Sequence, residues 1–212
     1  MTGILFDLDG TLLNTLDDLM DGVNHVLTQF GYPTRTREEI RCFVGNGAAN
    51  LLQRAVPQGE DWEKPLEAFQ SYYREHCQIK TAPYPHIPEA LAALEAKYPL
   101  AIVSNKPDKA TKKLCAQYFP GIYAQGEAPG CPRKPAADMV YAAMKAIGVE
   151  RCIYVGDSEV DVLTARNAGV PCLSVLWGFR REDEIRSAGG ARFCRRPEDL
   201  VRELENMLKE MD

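Results

Sequence analysis

Two carboxylates that directly follow a short apolar segment are the residues of this sequence best suited to chemistry. Residues 4–6 are apolar and predict a buried strand, and Asp7 and Asp9 follow it in the motif D-x-D-G-T (residues 7–11). Burying a carboxylate is costly unless a cation or strong hydrogen-bond donors offset its charge. The motif therefore predicts a metal-binding or phosphoryl-transfer site rather than a polar turn between a strand and a helix.

Polar side chains also follow two later apolar segments. Ser104 and Asn105 come after one of them, and Asp157 and Ser158 come after another, with Asp161 one helical turn further along. In an open α/β sheet, ligands bind outside the carboxyl ends of the strands. We therefore expect these side chains to meet the first two carboxylates at one edge of a sheet.

The residue types at this edge suit a phosphate and a hard metal ion. Asp7 and Asp157 offer the oxygen ligands that Mg²⁺ prefers. The hydroxyl of Ser104, and the backbone N–H groups after it, could bind an anion at the start of a helix. Lys134 lies in the loop before a helical pattern that Pro135 would start, and it could bring an ammonium group to the same edge.

The spacing of apolar segments predicts the fold that positions these residues. Segments that read as buried strands alternate with helical patterns from residue 99 onward, which calls for parallel strands joined by right-handed crossovers. The fold class is therefore α/β, with a doubly wound, mostly parallel sheet and a Rossmann-like core. The predicted strands are residues 4–6, 100–103, 152–155 and 172–176, with weaker candidates at 122–124 and 191–194.

A second, helical unit is predicted between the first two strands, because roughly ninety residues separate them. Thr15 with Asp18, and Thr36 with Glu39, have the spacing of capping boxes that open helices. Further helical patterns cover residues 48–55 and 62–73. We predict a catalytic core of residues 1–14 and 83–212 and a small helical cap of residues 15–82, which a proline-rich linker returns to the core.

Composition narrows the possible partners. The chain has 212 residues, a formal net charge of −5 and a pI of about 5.4, which argues against nucleic acid as the main partner. Its seven cysteines include no C-x-x-C pair, so neither a zinc site nor a complete disulfide framework is indicated. No apolar stretch approaches the roughly 20 residues of a membrane span, and we expect a soluble, cytoplasmic protein.

The motifs taken in order resemble the haloacid dehalogenase superfamily of phosphotransferases. They are D-x-D-G-T, Ser-Asn after an apolar strand, Lys-Pro, and G-D-S-x-x-D at residues 156–161. The helical insert, the V-G-N-G loop at residues 44–47 and the S-N-K-P sequence at 104–107 resemble the phosphoglycolate phosphatase branch. One departure is His86, which stands where relatives usually have glycine.

The resemblance implies a role for each core residue. Asp7 would attack phosphorus to form an aspartyl phosphate, and Asp9 would protonate the leaving alcohol and then activate water. Mg²⁺ would be held by Asp7, the backbone carbonyl of Asp9, and Asp157. The phosphate would be bound by Thr11, Ser104, Asn105 and Lys134. Asp161 and Ser158 would orient these residues without themselves contacting the metal ion or the phosphate.

The resemblance also suggests how the insert would meet a substrate. Asn46, with Gly45 and Gly47, is a candidate for contacting the end of the substrate that lacks phosphate, and Arg41 could recognise a carboxylate. Alternatively, the two glycines only permit a tight turn between helices. The expected partner is a small phosphorylated metabolite, 2-phosphoglycolate, and the protein would be a monomer or a homodimer.

Two alternatives would use the same fold, and the first of them shares every core residue. A phosphomutase of the β-phosphoglucomutase type would differ only in its cap and in the fate of the phosphoryl group. A non-catalytic regulator that binds Mg²⁺ or phosphate could use the same fold, because fold alone does not imply function.

Overall fold

The computed structural model describes residues 1–211, and within them a six-stranded sheet has every neighbouring pair of strands parallel. In chain order the strands are β1 (Thr2–Phe6), β2 (Leu13–Asn14), β3 (Ala82–Pro83), β4 (Leu100–Pro107), β5 (Tyr123–Glu127), β6 (Arg151–Gly156), β7 (Cys172–Val175) and β8 (Phe193–Cys194). The order across the sheet is β5-β4-β1-β6-β7-β8, while β2 and β3 pair with each other.

This strand order confirms the predicted doubly wound sheet. Counting only the strands of the large sheet along the chain, the order is 3-2-1-4-5-6, which is that of dinucleotide-binding α/β folds. The two weaker strand predictions correspond to β5 and β8, at the two edges of the sheet. Edge strands are half-exposed, which explains their weaker apolar pattern.

Helices cover both faces of the sheet. Within the described residues, no helix has both the length and the apolar character needed to cross a membrane. The helices are α1 (Leu16–Gln29), α2 (Arg37–Phe43), α3 (Gly47–Ala55), α4 (Glu63–His76), α5 (Ile87–Glu95), α6 (Asp108–Tyr118), α7 (Asp138–Ala146), α8 (Glu159–Ala168), α9 (Glu182–Ser187) and α10 (Leu200–Met211), with a 3₁₀ turn at Pro197–Asp199.

The central strand β1 is buried on both of its faces. Ile4 and Phe6 pack into one hydrophobic cluster, and Leu5 packs into a second one. Successive side chains of a strand point to opposite faces, so β1 lies between two apolar layers. This position explains why its sequence is continuously apolar rather than alternating. It also explains why charged residues directly after this strand are unusual.

Within residues 15–82 the structure has four helices, α1 to α4, which lie between β2 and β3. The antiparallel pairing of Leu13 with Pro83 and of Asn14 with Ala82 brings the two ends of this insert together. The second predicted capping box is present, because Thr36 and Glu39 bond each other's backbone N–H groups. The insert thus leaves and rejoins the core through neighbouring residues.

The first predicted capping box was wrong. Thr15 is the N-cap of α1 but makes no capping hydrogen bond with its side chain. Asp18 instead accepts hydrogen bonds from the backbone N–H of Lys80, at 2.9 Å, and of Thr81, at 2.8 Å. Asp18 is buried, and its two donors lie where the chain returns from the insert. Its carboxylate therefore ties the two ends of the insert together.

Candidate active site

The carboxyl ends of three neighbouring strands bring the predicted residues together. Asp7 directly follows β1, Ser104 lies within β4, and Asp157 directly follows β6. All three are buried. Asp7 is held in line with β6, because its backbone N–H donates to the carbonyl of Val155 at 2.8 Å. The expected convergence at one edge of the sheet is therefore present.

Three carboxylates form a tight buried cluster at this edge. Asp7, Asp157 and Asp161 each offer an oxygen atom, and these atoms lie within 4.8 Å of one another. Burial raises the pKa of Asp7 well above its ordinary value, and Asp161 and Asp157 act in the same direction. Burial, together with Asp161, raises the pKa of Asp157 to about 7. Asp161 therefore makes ionisation of both Asp7 and Asp157 more costly.

Lys134 is the ammonium group that pairs with this cluster. Its Nζ atom lies 2.7 Å from Oδ1 of Asp7, 2.8 Å from Oδ1 of Asp161 and 3.0 Å from the hydroxyl of Tyr154. Burial alone would lower the pKa of Lys134, but Asp161 and Asp7 outweigh it and raise that pKa well above its ordinary value. Lys134 is therefore a permanent positive charge beside Asp7.

The charges of this cluster fit a divalent cation. With all three carboxylates ionised, the single ammonium group leaves an excess of two negative charges in a buried site, and this excess is unfavourable without a cation. Both oxygens of Asp161 are already used, one by Lys134 and the other by the backbone N–H and hydroxyl of Ser158. Both oxygens of Asp157 also accept hydrogen bonds, from the Thr11 hydroxyl and the backbone N–H of Phe179, so hydrogen bonding does not separate the three carboxylates as metal ligands.

The second carboxylate of the motif, Asp9, has a different partner. Lys106 Nζ lies 3.0 and 3.1 Å from the two oxygens of Asp9 and 3.1 Å from the hydroxyl of Tyr73, which belongs to α4. The two acidic residues of the motif are therefore paired with two different lysines. Sequence reasoning gave neither residue a role in the site: Lys106 entered only as part of the S-N-K-P sequence, and Tyr73 only as part of a helical pattern.

Thr11 and Asn105 contact other site residues. Thr11 donates from its hydroxyl to Asp157 at 3.1 Å. The side chain of Asn105 accepts from the backbone N–H of Lys134 at 2.8 Å, and it donates to the carbonyls of Lys134 and Gly45. These contacts orient Asp157 and the Lys134 loop.

Two glycines allow other backbone segments to approach Asp157. A Cβ atom at Gly10 would lie 2.4 Å from Oδ2 of Asp157, and one at Gly178 would lie 2.3 Å from Cβ of Asp157. Gly10 also has a positive φ of 89°, which side chains rarely adopt. The backbone N–H of Phe179 then reaches Oδ2 of Asp157 at 2.7 Å. The close approach of these loops fixes the Asp157 carboxylate.

A cavity of about 400 Å³ lies between this site and the insert. Gly45 and Gly47 line it. Within residues 1–211, the residues around the cavity do not include Arg41 or Asn46. Arg41 instead pairs with Glu38 and donates to the carbonyl of Phe179. Apolar side chains of the insert also line the cavity: Leu19, Leu51 and Phe69.

Arg180 is a further cavity residue that sequence reasoning missed. Its guanidinium pairs with Glu159 and donates to the backbone carbonyls of Arg41 and Val44, and the residue is buried. The two carbonyls belong to the insert, and Glu159 starts the helix that follows Asp157 and Ser158. The sequence held only a basic pair, Arg180 with Arg181, beside acidic residues, which is usually a solvated surface.

Comparison with known proteins agrees with this geometry. The family model described as haloacid dehalogenase-like hydrolase matches residues 4–175. A phosphoglycolate phosphatase from Aquifex aeolicus (strain VF5) is 31% identical, over 99% of this chain and 100% of the relative.

Solved structures share the fold. A crystal structure of a candidate phosphoglycolate phosphatase from Lactobacillus delbrueckii subsp. bulgaricus has a TM-score of 0.91 and 35% identity, covering 96% of this chain and 98% of that one. Another, from Haemophilus somnus 129pt, has a TM-score of 0.85 and 26% identity, covering 95% and 97%. The family match extends over five of the six strands of the sheet, the insert and the three clustered carboxylates, and this chain belongs to the haloacid dehalogenase-like hydrolases.

Proposed function

We propose that this chain is a Mg²⁺-dependent phosphatase that hydrolyses 2-phosphoglycolate through a phosphoryl group carried on Asp7. The observation that carries the proposal is the pairing of the two motif carboxylates with separate buried lysines, Asp7 with Lys134 and Asp9 with Lys106. One carboxylate can then act as nucleophile while its neighbour transfers protons. The names of the relatives support the choice of substrate.

In the first half of the reaction, an oxygen of Asp7 attacks phosphorus. A bond forms between this oxygen and phosphorus, the bond from phosphorus to the substrate oxygen breaks, and Asp9 gives its proton to the departing oxygen. Lys134 would neutralise charge on the phosphate oxygens and the Ser104 hydroxyl would donate a hydrogen bond to them, because stabilising and positioning the phosphoryl group is the main task of a protein in phosphoryl transfer. A small alcohol, glycolate for this substrate, leaves.

In the second half, water attacks the phosphorus of the aspartyl phosphate. Asp9 takes a proton from this water, the bond between phosphorus and the Asp7 oxygen breaks, and inorganic phosphate leaves. Residues 15–82 would serve as a cap that limits the access of bulk water. Mg²⁺, held by Asp7, Asp157 and the carbonyl of Asp9, would neutralise the charge that the carboxylates and the phosphate bring together.

The experiment is phosphate release by the purified protein from 2-phosphoglycolate, a set of sugar phosphates and nucleotides, with Mg²⁺ and with a chelator. We expect turnover that requires Mg²⁺ and prefers 2-phosphoglycolate. Asp7→Asn should keep the fold and abolish turnover, and substantial activity in this variant would contradict the role of Asp7. A sugar phosphate isomer as main product would favour the phosphomutase, and no reaction would favour the regulator.

A further inference from the structure

Lys106 is a buried cation of the cavity with a bonding pattern suited to an anionic group. Its side chain is 3% exposed, and its ammonium group contacts both oxygens of Asp9 and the hydroxyl of Tyr73. An ammonium group has three protons to donate, so these contacts use its whole capacity. If Asp9 turned toward a substrate oxygen, Lys106 would be left buried and short of acceptors, which is costly.

The position of Lys106 relative to Ser104 matches the size of a small substrate. The two residues are two apart in the irregular end of β4 and both line the cavity, and two residues of chain span at most about 7 Å. The backbone N–H of Lys106 also donates to the Ser104 hydroxyl, at 3.2 Å. A phosphate on Ser104 and Lys134 would thus place a group a few bonds from phosphorus near the Lys106 ammonium.

The other cations that line the cavity are less suited to this role. Lys134 is paired with the carboxylate cluster, and Arg180 is paired with Glu159 and insert carbonyls. Arg74 and Lys109 are exposed, so water would weaken their attraction for an anion.

We propose that Lys106, oriented by Tyr73, binds the carboxylate of the substrate. This inference rests on the proposed hydrolysis of 2-phosphoglycolate. When Asp9 turns toward the departing oxygen, the substrate carboxylate replaces it on Lys106, and the ammonium group stays paired. A substrate with a neutral group at this position leaves Lys106 bonded to Asp9, and its reaction is slower. Lys106 is therefore the residue that selects a carboxylate.

The test compares two substrates that differ only at this group. 2-Phosphoglycolate carries the carboxylate, and 2-hydroxyethyl phosphate carries a neutral CH₂OH group in its place. In Lys106→Met, the ratio of kcat/KM for the first substrate to that for the second should fall about 10- to 100-fold, the range for a lost charged hydrogen bond. The matched control is Lys109→Met, an exposed lysine on the same cavity, for which the ratio should stay within about twofold.

Tyr73→Phe gives a second readout that leaves the charge of Lys106 in place. Without the phenol oxygen, the ammonium group is less well oriented, and the same ratio should fall by a few-fold. This variant keeps the test decisive if Lys106→Met does not fold.

Three results would overturn the inference. Equal losses on both substrates in Lys106→Met would mean that Lys106 only orients Asp9. If this ratio of kcat/KM values changed in Lys109→Met but not in Lys106→Met or Tyr73→Phe, then Lys109 rather than Lys106 would bind the substrate carboxylate. A wild-type protein that hydrolyses neither compound would overturn the proposed function, and this inference with it, whereas the first two results leave that function in place.

Discussion

Arg180 and Glu159 form an ion pair at 2.8 Å whose arginine also bonds the backbone of the insert. Its side chain is 5% exposed, and it donates to the carbonyl of Val44 at 2.6 Å and to that of Arg41 at 2.8 Å. Glu159 directly follows Asp157 and Ser158 in the chain. The arginine therefore connects the acidic cluster of the core to the loop between α2 and α3.

Replacing this arginine should loosen the contact between core and insert. Arg180→Met leaves two carbonyls and a carboxylate without their donor, and we expect the free energy of unfolding in urea to fall by about 2 kcal/mol. Arg181→Met is the matched control. Arg181 is the next residue in the chain, its side chain is 72% exposed, and its loss should lower the free energy of unfolding by less than about 0.5 kcal/mol. Equal effects of the two changes would show that the buried contacts of Arg180 do not stabilise the protein.

The close approach of Gly178 to Asp157 should be essential for metal binding. In Gly178→Ala the new methyl group would overlap Cβ of Asp157 and the carbonyl of Gly10, so the carboxylate must shift. We expect the affinity for Mg²⁺, measured by titration calorimetry, to fall at least about tenfold.

A control for this change is Gly148→Ala. That glycine also lies outside a regular strand or helix and has a positive φ of 70°, but a methyl group there would meet no neighbouring atom. It should cost about 1 kcal/mol of stability through backbone strain and leave Mg²⁺ affinity unchanged. If both variants bind Mg²⁺ as the wild type does, the fixed position of Asp157 is not needed for the metal.

His86 should be a site where glycine stabilises the protein. It is the N-cap of α5, it is exposed, and its φ of 66° is in the left-handed region. A Cβ atom in this conformation costs about 1 kcal/mol, so His86→Gly should raise the free energy of unfolding by up to that amount. His86→Ala keeps the Cβ atom and should give no gain, and a gain of the same size in alanine would contradict the explanation.

The stability of the metal-free protein should depend on the ionisation of Asp157. Its pKa is about 7 in the folded protein, against an ordinary value of 3.8, so folding favours its protonated form. Its contribution to stability is therefore full below about pH 4 and is lost as the pH rises toward and through about 7.

The measurement is urea unfolding of wild type and Asp157→Asn across this range, with a chelator present. The stability of wild type relative to the variant should fall as the pH rises, because asparagine cannot ionise. Mg²⁺ should reverse the trend for wild type, since it binds the ionised form. A pH-independent difference between the two proteins would contradict the raised pKa.

The sequence alone predicted those site residues that lie at the carboxyl ends of strands. Asp7, Ser104 and Asp157 each follow or end an apolar segment, and parallel strands place such positions at one edge. The contacts that sequence reasoning missed join residues far apart in the chain. Lys106 meets Asp9 across 97 positions, and Asp18 meets Thr81 across 63. No local spacing rule relates such pairs: Lys106 and Asp9 meet because β4 lies beside β1 in the sheet, and Asp18 and Thr81 meet because the two ends of the insert come together.

The pairing of β2 with β3 has a consequence for how the core can fold. Joining β1 to β4 requires the chain between them to close a long loop, and the entropy lost in this closure grows with the length of free chain. Once α1 to α4 have packed, Asn14 and Ala82 are held side by side. The folded insert then connects Asn14 to Ala82 over a short distance, as a tight turn would. The entropy lost when β1 pairs with β4 is therefore that of a short connection rather than of a free chain of this length.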